Sequence, residues 1–134
     1  LWVRVLPKEE SLEVWLEFYR ERFSMILEDI SAMRGAPVIV EGVELLPEMV
    51  LPLVKGSEAA WRVPTRPFFE RHHEVREWVS KYPDDETWRY YSLQIKHVLA
   101  GLQRANGLVL EVDGLSGPGE LADALAVHFR SGAR

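Results

Sequence analysis

Between Pro7 and Arg34 the apolar residues recur every three or four positions: Leu12, Trp15, Leu16, Tyr19, Phe23, Ile26, Leu27 and Ile30. That period puts them on one face of a helix, so the spacing predicts a helix over Lys8–Met33. Glu9 and Glu10 suit its first turn, where the helix dipole is positive, and Arg34-Gly35 marks its end. The pattern then changes. Pro37-Val38-Ile39-Val40-Glu41-Gly42 holds three consecutive β-branched residues with no alternation. Such a run predicts a strand, Val38–Glu41, buried on both faces as in parallel sheets. Glu44–Val54 reads as a second apolar helix with Pro47 in its first turn.

Gly56-Ser57 breaks that helix, and Ala60–Val63 reads as a second strand stopped by Pro64. Pro67–Lys81 is a polar helix dense in Arg, His and Glu, and Pro83-Asp84-Asp85 restarts the chain with an acid at a cap position. Glu86–Ala105 is a long amphipathic helix with Trp88, Tyr91, Ile95, Val98, Leu99 and Leu102 on one side. Asn106-Gly107 ends it, Leu108–Val112 is a third strand, Asp113-Gly114 turns, and Glu120–Phe129 is a last helix. Leu1–Leu6 is apolar and closed by Pro7; it fits an edge strand or a loop.

Strands separated by helices pair in parallel through crossovers. The expected fold is therefore α/β, a parallel sheet of about three strands with flanking helices. A length of 134 residues suits one domain, and no internal linker divides residues 1–134. The composition, 47% hydrophobic and 28% charged, is that of a globular chain. The net charge of −5 argues against a nucleic-acid partner, which wants a basic face. Cysteine is absent, so disulfides, thiol nucleophiles and Cys-ligated zinc are excluded. No apolar run reaches the ~20 residues of a membrane span, and no signal peptide is visible; the expectation is a cytoplasmic protein without a membrane partner. Leu1 is not a methionine, which reads as a start inside a longer reading frame.

Three features fall at strand ends, where open α/β sheets bind ligands. Glu41-Gly42 follows the first strand, Thr65-Arg66 the second with Arg71 and Arg76 beyond, and Asp113-Gly114 the third. A carboxylate facing several guanidinium groups is the composition of a phosphate-transfer site: the acid holds Mg²⁺ or accepts a proton, and arginine forks neutralise phosphate oxygens.

These residues resemble a family. Val38-Ile39-Val40-Glu41-Gly42 is similar to the second acidic motif of P-loop nucleoside and nucleotide kinases. Trp61 to Arg76 is similar to the arginine-bearing lid region of kinase-like P-loop proteins. Leu110 to Gly114, followed by Ser116, resembles their last strand and the loop bordering adenine. The resemblance runs by pattern from Leu12 to Phe129. It implies the carboxy-terminal part of a P-loop NTPase-type transferase using ATP and Mg²⁺ on a small nucleoside-like or other hydroxyl substrate. In that reading Glu41 orients Mg²⁺ or acts as base. Arg71 and Arg76, with Arg66, close over the phosphates, and Asp113 and Gly114 shape the adenine end. The departure is the phosphate loop G-x-x-x-x-G-K-[ST], which is absent. Without it the chain is expected not to turn over ATP. In the family the strand feeding that loop lies between the strands corresponding to Val38–Glu41 and Ala60–Val63. A gap there implies poor stability of the isolated chain, or association with a missing amino-terminal half or with itself. Cooperative unfolding of a monomer at high temperature counts against that expectation.

Each feature also has a simpler explanation. Glu41 caps the following helix or pairs with a lysine. Arg66, Arg71 and Arg76 form a solvated face with Glu70, Glu74 and Glu77 as local partners. Asp113-Gly114 is a common turn. His72 and His73 diverge by about 100° on a helix and do not share an ion, and the Glu70/His73 spacing alone is weak evidence for a metal. His97 and His128 read as packed or surface residues, and the five tryptophans mostly as core. The alternative function is a degenerate, non-catalytic α/β module that binds a nucleotide or a protein.

Overall fold

The computed structural model describes residues 8–35, 37–73, 84–103 and 107–131. Helix α1, Lys8–Ala32, runs 25 residues and follows the apolar period closely. Leu16 is 2% and Tyr19 8% exposed, and both pack on Leu46 at 4%. Leu12, Trp15, Met49 and Val98 border this cluster, so α1 docks against the chain at Leu46–Met49 and against a later helix.

Pro47–Val50 forms α2, only four residues where an eleven-residue helix, Glu44–Val54, was expected. The physical reason is a second proline. Pro47 is tolerated at the helix start, but Pro52 has no N–H to donate and crowds the preceding turn, so the chain breaks into turns from Leu51 to Val54. A 3₁₀ turn at Gly56–Glu58 leads into strand β1, Ala60–Pro64. Helix α3 is Arg66–His73, α4 is Asp84–Leu102, strand β2 is Leu108–Val112 and α5 is Pro118–Ser131.

β1 and β2 pair in parallel, with Trp61 opposite Val109, Val63 opposite Glu111 and Pro64 opposite Val112. This two-stranded sheet is the sheet of the described residues. Among the described residues, Val38–Glu41 is not part of a sheet. Val38, Ile39 and Val40 are 45%, 96% and 39% exposed, and their backbone groups have no hydrogen-bond partner among the described residues. β-branched residues favour extended backbone, but a strand exists only where a neighbour completes its ladder. Of the expected three-stranded parallel sheet, two strands are present among the described residues. Leu1–Leu6, Arg76 and the stretch Glu74–Pro83 lie outside the described residues.

Gly107 shows why β2 starts where it does. A Cβ at this position would fall 2.7 Å from Leu102 Cδ2 and 2.8 Å from Trp61 Cζ3. Only glycine lets the chain leave α4 and enter the sheet so close to Trp61. The Trp61 indole N–H donates to the Leu45 carbonyl at 2.9 Å and so ties the sheet to the α2 region. Phe69 of α3 packs on Trp88 and Tyr91 of α4, with ring centroids 5.3 and 5.0 Å apart. Burial pushes the Tyr90 phenol well above its ordinary pKa, and Gln94 donates to its oxygen at 3.0 Å.

Both of the later histidines make tertiary contacts. His97 Nε2 lies 2.8 Å from a Glu48 oxygen, linking α4 to α2, and His128 Nε2 lies 2.9 Å from the Ala59 carbonyl and 3.1 Å from that of Gly56, linking α5 to the turn before β1. No helix among the described residues is long and apolar enough to cross a membrane.

Candidate functional site

Parallel pairing puts the carboxyl ends of β1 and β2 side by side, at Pro64 and Val112. The residues that follow, Thr65-Arg66 and Asp113-Gly114, therefore meet at one edge. The Thr65 N–H donates to the Val112 carbonyl at 3.0 Å, one bond beyond the ladder. Thr65 Oγ1 accepts the Phe68 N–H at 3.4 Å, a long capping contact at the start of α3. Pro67 suits that first turn because it carries no N–H to satisfy.

On the other strand, Asp113 folds the chain back on itself. Its Oδ1 accepts the Leu115 N–H at 2.8 Å and the Ser116 N–H at 3.3 Å. Gly114 follows at φ +79°, a backbone region where a side chain is strained. Glu120 Oε2 then accepts the Gly117 N–H at 3.0 Å, and α5 begins at Pro118. The two backbone N–H groups hold the Asp113 carboxyl below its ordinary value of 3.8, with Arg71 adding a smaller contribution. Because the folded pKa is depressed, the turn is fully supported above 3.8 and loses support as pH falls through the lower, folded value. The Leu115 and Ser116 amide resonances are expected to titrate together below pH 3.8, with Asp113→Asn abolishing the shared step. Independent titration would remove the carboxylate from the turn.

α3 closes over this loop. Arg71 Nη2 donates to the Asp113 carbonyl, and Phe68 lies against Gly114, where an added Cβ would sit 2.9 Å from Phe68 Cδ2. Arg71 is exposed, and its other guanidinium N–H groups have no partner among the described residues. Arg66 is engaged differently. Its Nε donates to Glu70 and its Nη2 to Asp85, both at 2.7 Å, which raises its pKa further and keeps it charged. The Glu70 pair is the local i,i+4 partner expected for a solvated face, whereas Asp85 is a partner that the sequence gives no sign of.

Glu41 lies apart from this cluster. Its Oε1 accepts from Arg62 Nη2 at 2.6 Å, and the two side chains are 79% and 58% exposed. Arg62 is the middle residue of β1, so Glu41 stands beside the strand and not at a strand end. It caps no helix either, because the residue before α2 is Leu46. The ion-pair reading of Glu41 holds, with an arginine in place of the lysine. An exposed pair of this kind contributes about 0–1 kcal/mol.

Of the expected site residues, Arg66, Arg71, Asp113 and Gly114 come together at the carboxyl edge. Glu41 does not join them, and Arg76 lies outside the described residues. Among the described residues no group of three or more His, Asp or Glu side chains is arranged to hold a metal. Glu41 brings a single carboxylate already engaged by Arg62, so these residues by themselves do not fit a Mg²⁺ site. The cluster is chemically suited to an anion held by a guanidinium beside a tight backbone loop. No family model, no curated protein and no solved structure matches this chain.

Proposed function

We propose that this chain is the carboxy-terminal part of a P-loop kinase-like phosphotransferase, and that its nucleotide edge is the carboxyl edge of the β1–β2 sheet. The observation that supports this reading is the contact between Arg71 and the Asp113 carbonyl. It brings the arginine helix onto the loop that the resemblance places beside adenine. Arg71 supplies the charge for phosphate oxygens, while Asp113 and Gly114 shape the loop where the base would rest. ATP would enter as its Mg²⁺ complex and transfer its terminal phosphoryl group to a small hydroxyl substrate. The Mg²⁺ ligands and the phosphate loop would come from residues beyond this cluster.

A second reading is favoured by a different observation. Glu41 is solvent-exposed and paired with Arg62, and Val38–Val40 is uncovered. A module that binds a nucleotide without turnover needs no acid at the phosphate and is compatible with both facts.

Titration of the chain with Mg·ATP, followed by amide chemical shifts, tests the shared part of the two readings. The expected result is weak binding with shifts concentrated at Thr65, Leu115 and Ser116, reduced in Arg71→Ala. Binding that leaves those amides unmoved would overturn the assignment of the edge. Turnover in the full-length protein separates the kinase from the non-catalytic module.

A further inference from the structure

In this structure the arginine that the proposed function assigns to phosphate is already in use. Arg71 Nη2 donates to the Asp113 main-chain carbonyl 42 residues away and joins α3 to the β2–α5 loop, where Phe68 also lies against Gly114. The loop has its own internal braces, the Asp113 turn to Leu115 and Ser116 and the Glu120 contact to Gly117. It therefore does not need Arg71 to keep its shape. The arginine bond instead fastens α3 to the loop beside the Phe68–Gly114 contact.

We infer that this contact is an autoinhibitory clasp: the loop carbonyl occupies Arg71 and lowers its affinity for phosphate until the clasp opens. The inference rests on the nucleotide-edge reading, and three features carry it. First, Nη2 is the nitrogen shared by both bidentate edges of a guanidinium, and the carbonyl takes one of its two hydrogens. A phosphate that approaches on the edge using that hydrogen must share or displace the bond, and one on the other edge meets the carbonyl oxygen and the loop beside it. Second, the position is set by steric fit as well as by charge. Gly114 has φ +79°, and a Cβ there would lie 2.9 Å from Phe68 Cδ2 and 3.0 Å from Arg71 Nη2. Glycine is what allows the carbonyl, the ring and the guanidinium to meet. Third, the clasp can be broken at low cost. Arg71 is exposed and ends a flexible side chain, so it can swing toward solvent while α3 stays anchored through Phe69 on Trp88 and Tyr91. The charged groups around it are consistent with this. Glu70 is committed to Arg66, and the Asp113 carboxylate is committed to its own turn.

Because the clasp depends on a missing Cβ, it can be opened without removing the arginine. Gly114→Ala places a methyl group against Nη2, and Phe68→Ala removes the ring on which the loop rests. Both are compared with the unaltered chain, with Arg71→Ala, and with each double variant carrying Arg71→Ala. The probe is inorganic tripolyphosphate, measured by calorimetry. The exchange and chemical shift of the Arg71 guanidinium protons without ligand report the clasp itself, and circular dichroism confirms the fold.

The expected result is roughly three- to tenfold tighter tripolyphosphate binding in Gly114→Ala or Phe68→Ala, the range one charged hydrogen bond supplies when discounted for exposure. Arg71→Ala should erase that gain. Phe68→Ala keeps the test decisive if alanine at the strained position 114 unfolds the loop. Unchanged or weaker binding in the folded variants, or a gain that survives Arg71→Ala, would overturn the clasp. If the clasp fails in this way while Mg·ATP still shifts the edge amides of the unaltered chain, the nucleotide edge stands and only the autoinhibition is lost.

Discussion

Leu16→Ala should destabilise the protein by about 3 kcal/mol, the middle of the range for emptying a buried leucine site. Leu16 is 2% exposed and sits in a cluster whose other buried members are Tyr19 and Leu46. Few other residues share its role: eight of the described residues are buried in all. A domain of this size commonly has about 5–15 kcal/mol of stability, so this one change removes a large fraction of it. Urea unfolding followed by circular dichroism measures the loss. Val14→Ala, on the same helix but at a residue 50% exposed, is the control and should stay within about 0.5 kcal/mol. Equal losses at the two positions would mean that α1 is not docked by the Leu16 face.

The second large effect concerns chemistry. On the proposed phosphotransferase reading, in a protein that also carries the phosphate loop, Arg71→Ala should lower kcat roughly a hundredfold or more while weakening nucleotide binding only a few-fold. A guanidinium that meets charge developing during phosphoryl transfer acts mainly in the transition state. A purely ground-state contact would weaken binding and turnover alike, so equal losses would remove the proposed role. Arg71→Lys sharpens the comparison. Lysine keeps the charge but not the planar fork, and a bidentate role predicts little rescue.

The parts of the fold that were legible in the sequence are those decided locally. The period of Leu12, Leu16 and Tyr19 marks α1 because one helix face alone determines it. β2 falls at Leu108–Val112 as expected because glycine on one side and Asp113-Gly114 on the other confine it. α2 came out short because Pro52 outweighs the apolar pattern around it. Val38–Val40 departs from the expectation for a different reason. A β-branched run reports a preference for extended backbone, whereas pairing needs a second strand, about which the run itself carries no information. The site divides along the same line. Thr65, Arg66, Asp113 and Gly114 meet because parallel register is enough to align two strand ends. The Arg62 partner of Glu41, the Asp85 partner of Arg66 and the Phe68–Gly114 contact depend on tertiary placement. Only the alternation of β1, which turns Arg62 away from the face of Val63, hinted at any of them.

The uncovered Val38–Val40 segment also bears on how the chain would be cut. Proteases cut most readily where backbone is exposed and unpaired, and this stretch is exposed and without backbone partners among the described residues. A first cleavage there would separate α1 from everything that follows. The two pieces would still be held by Leu16 and Tyr19 against Leu46, a contact that needs no peptide bond across the cut. The segment is therefore where limited proteolysis is expected to cut first, and co-elution of the two fragments after the cut would show that the Leu16–Leu46 contact holds them together.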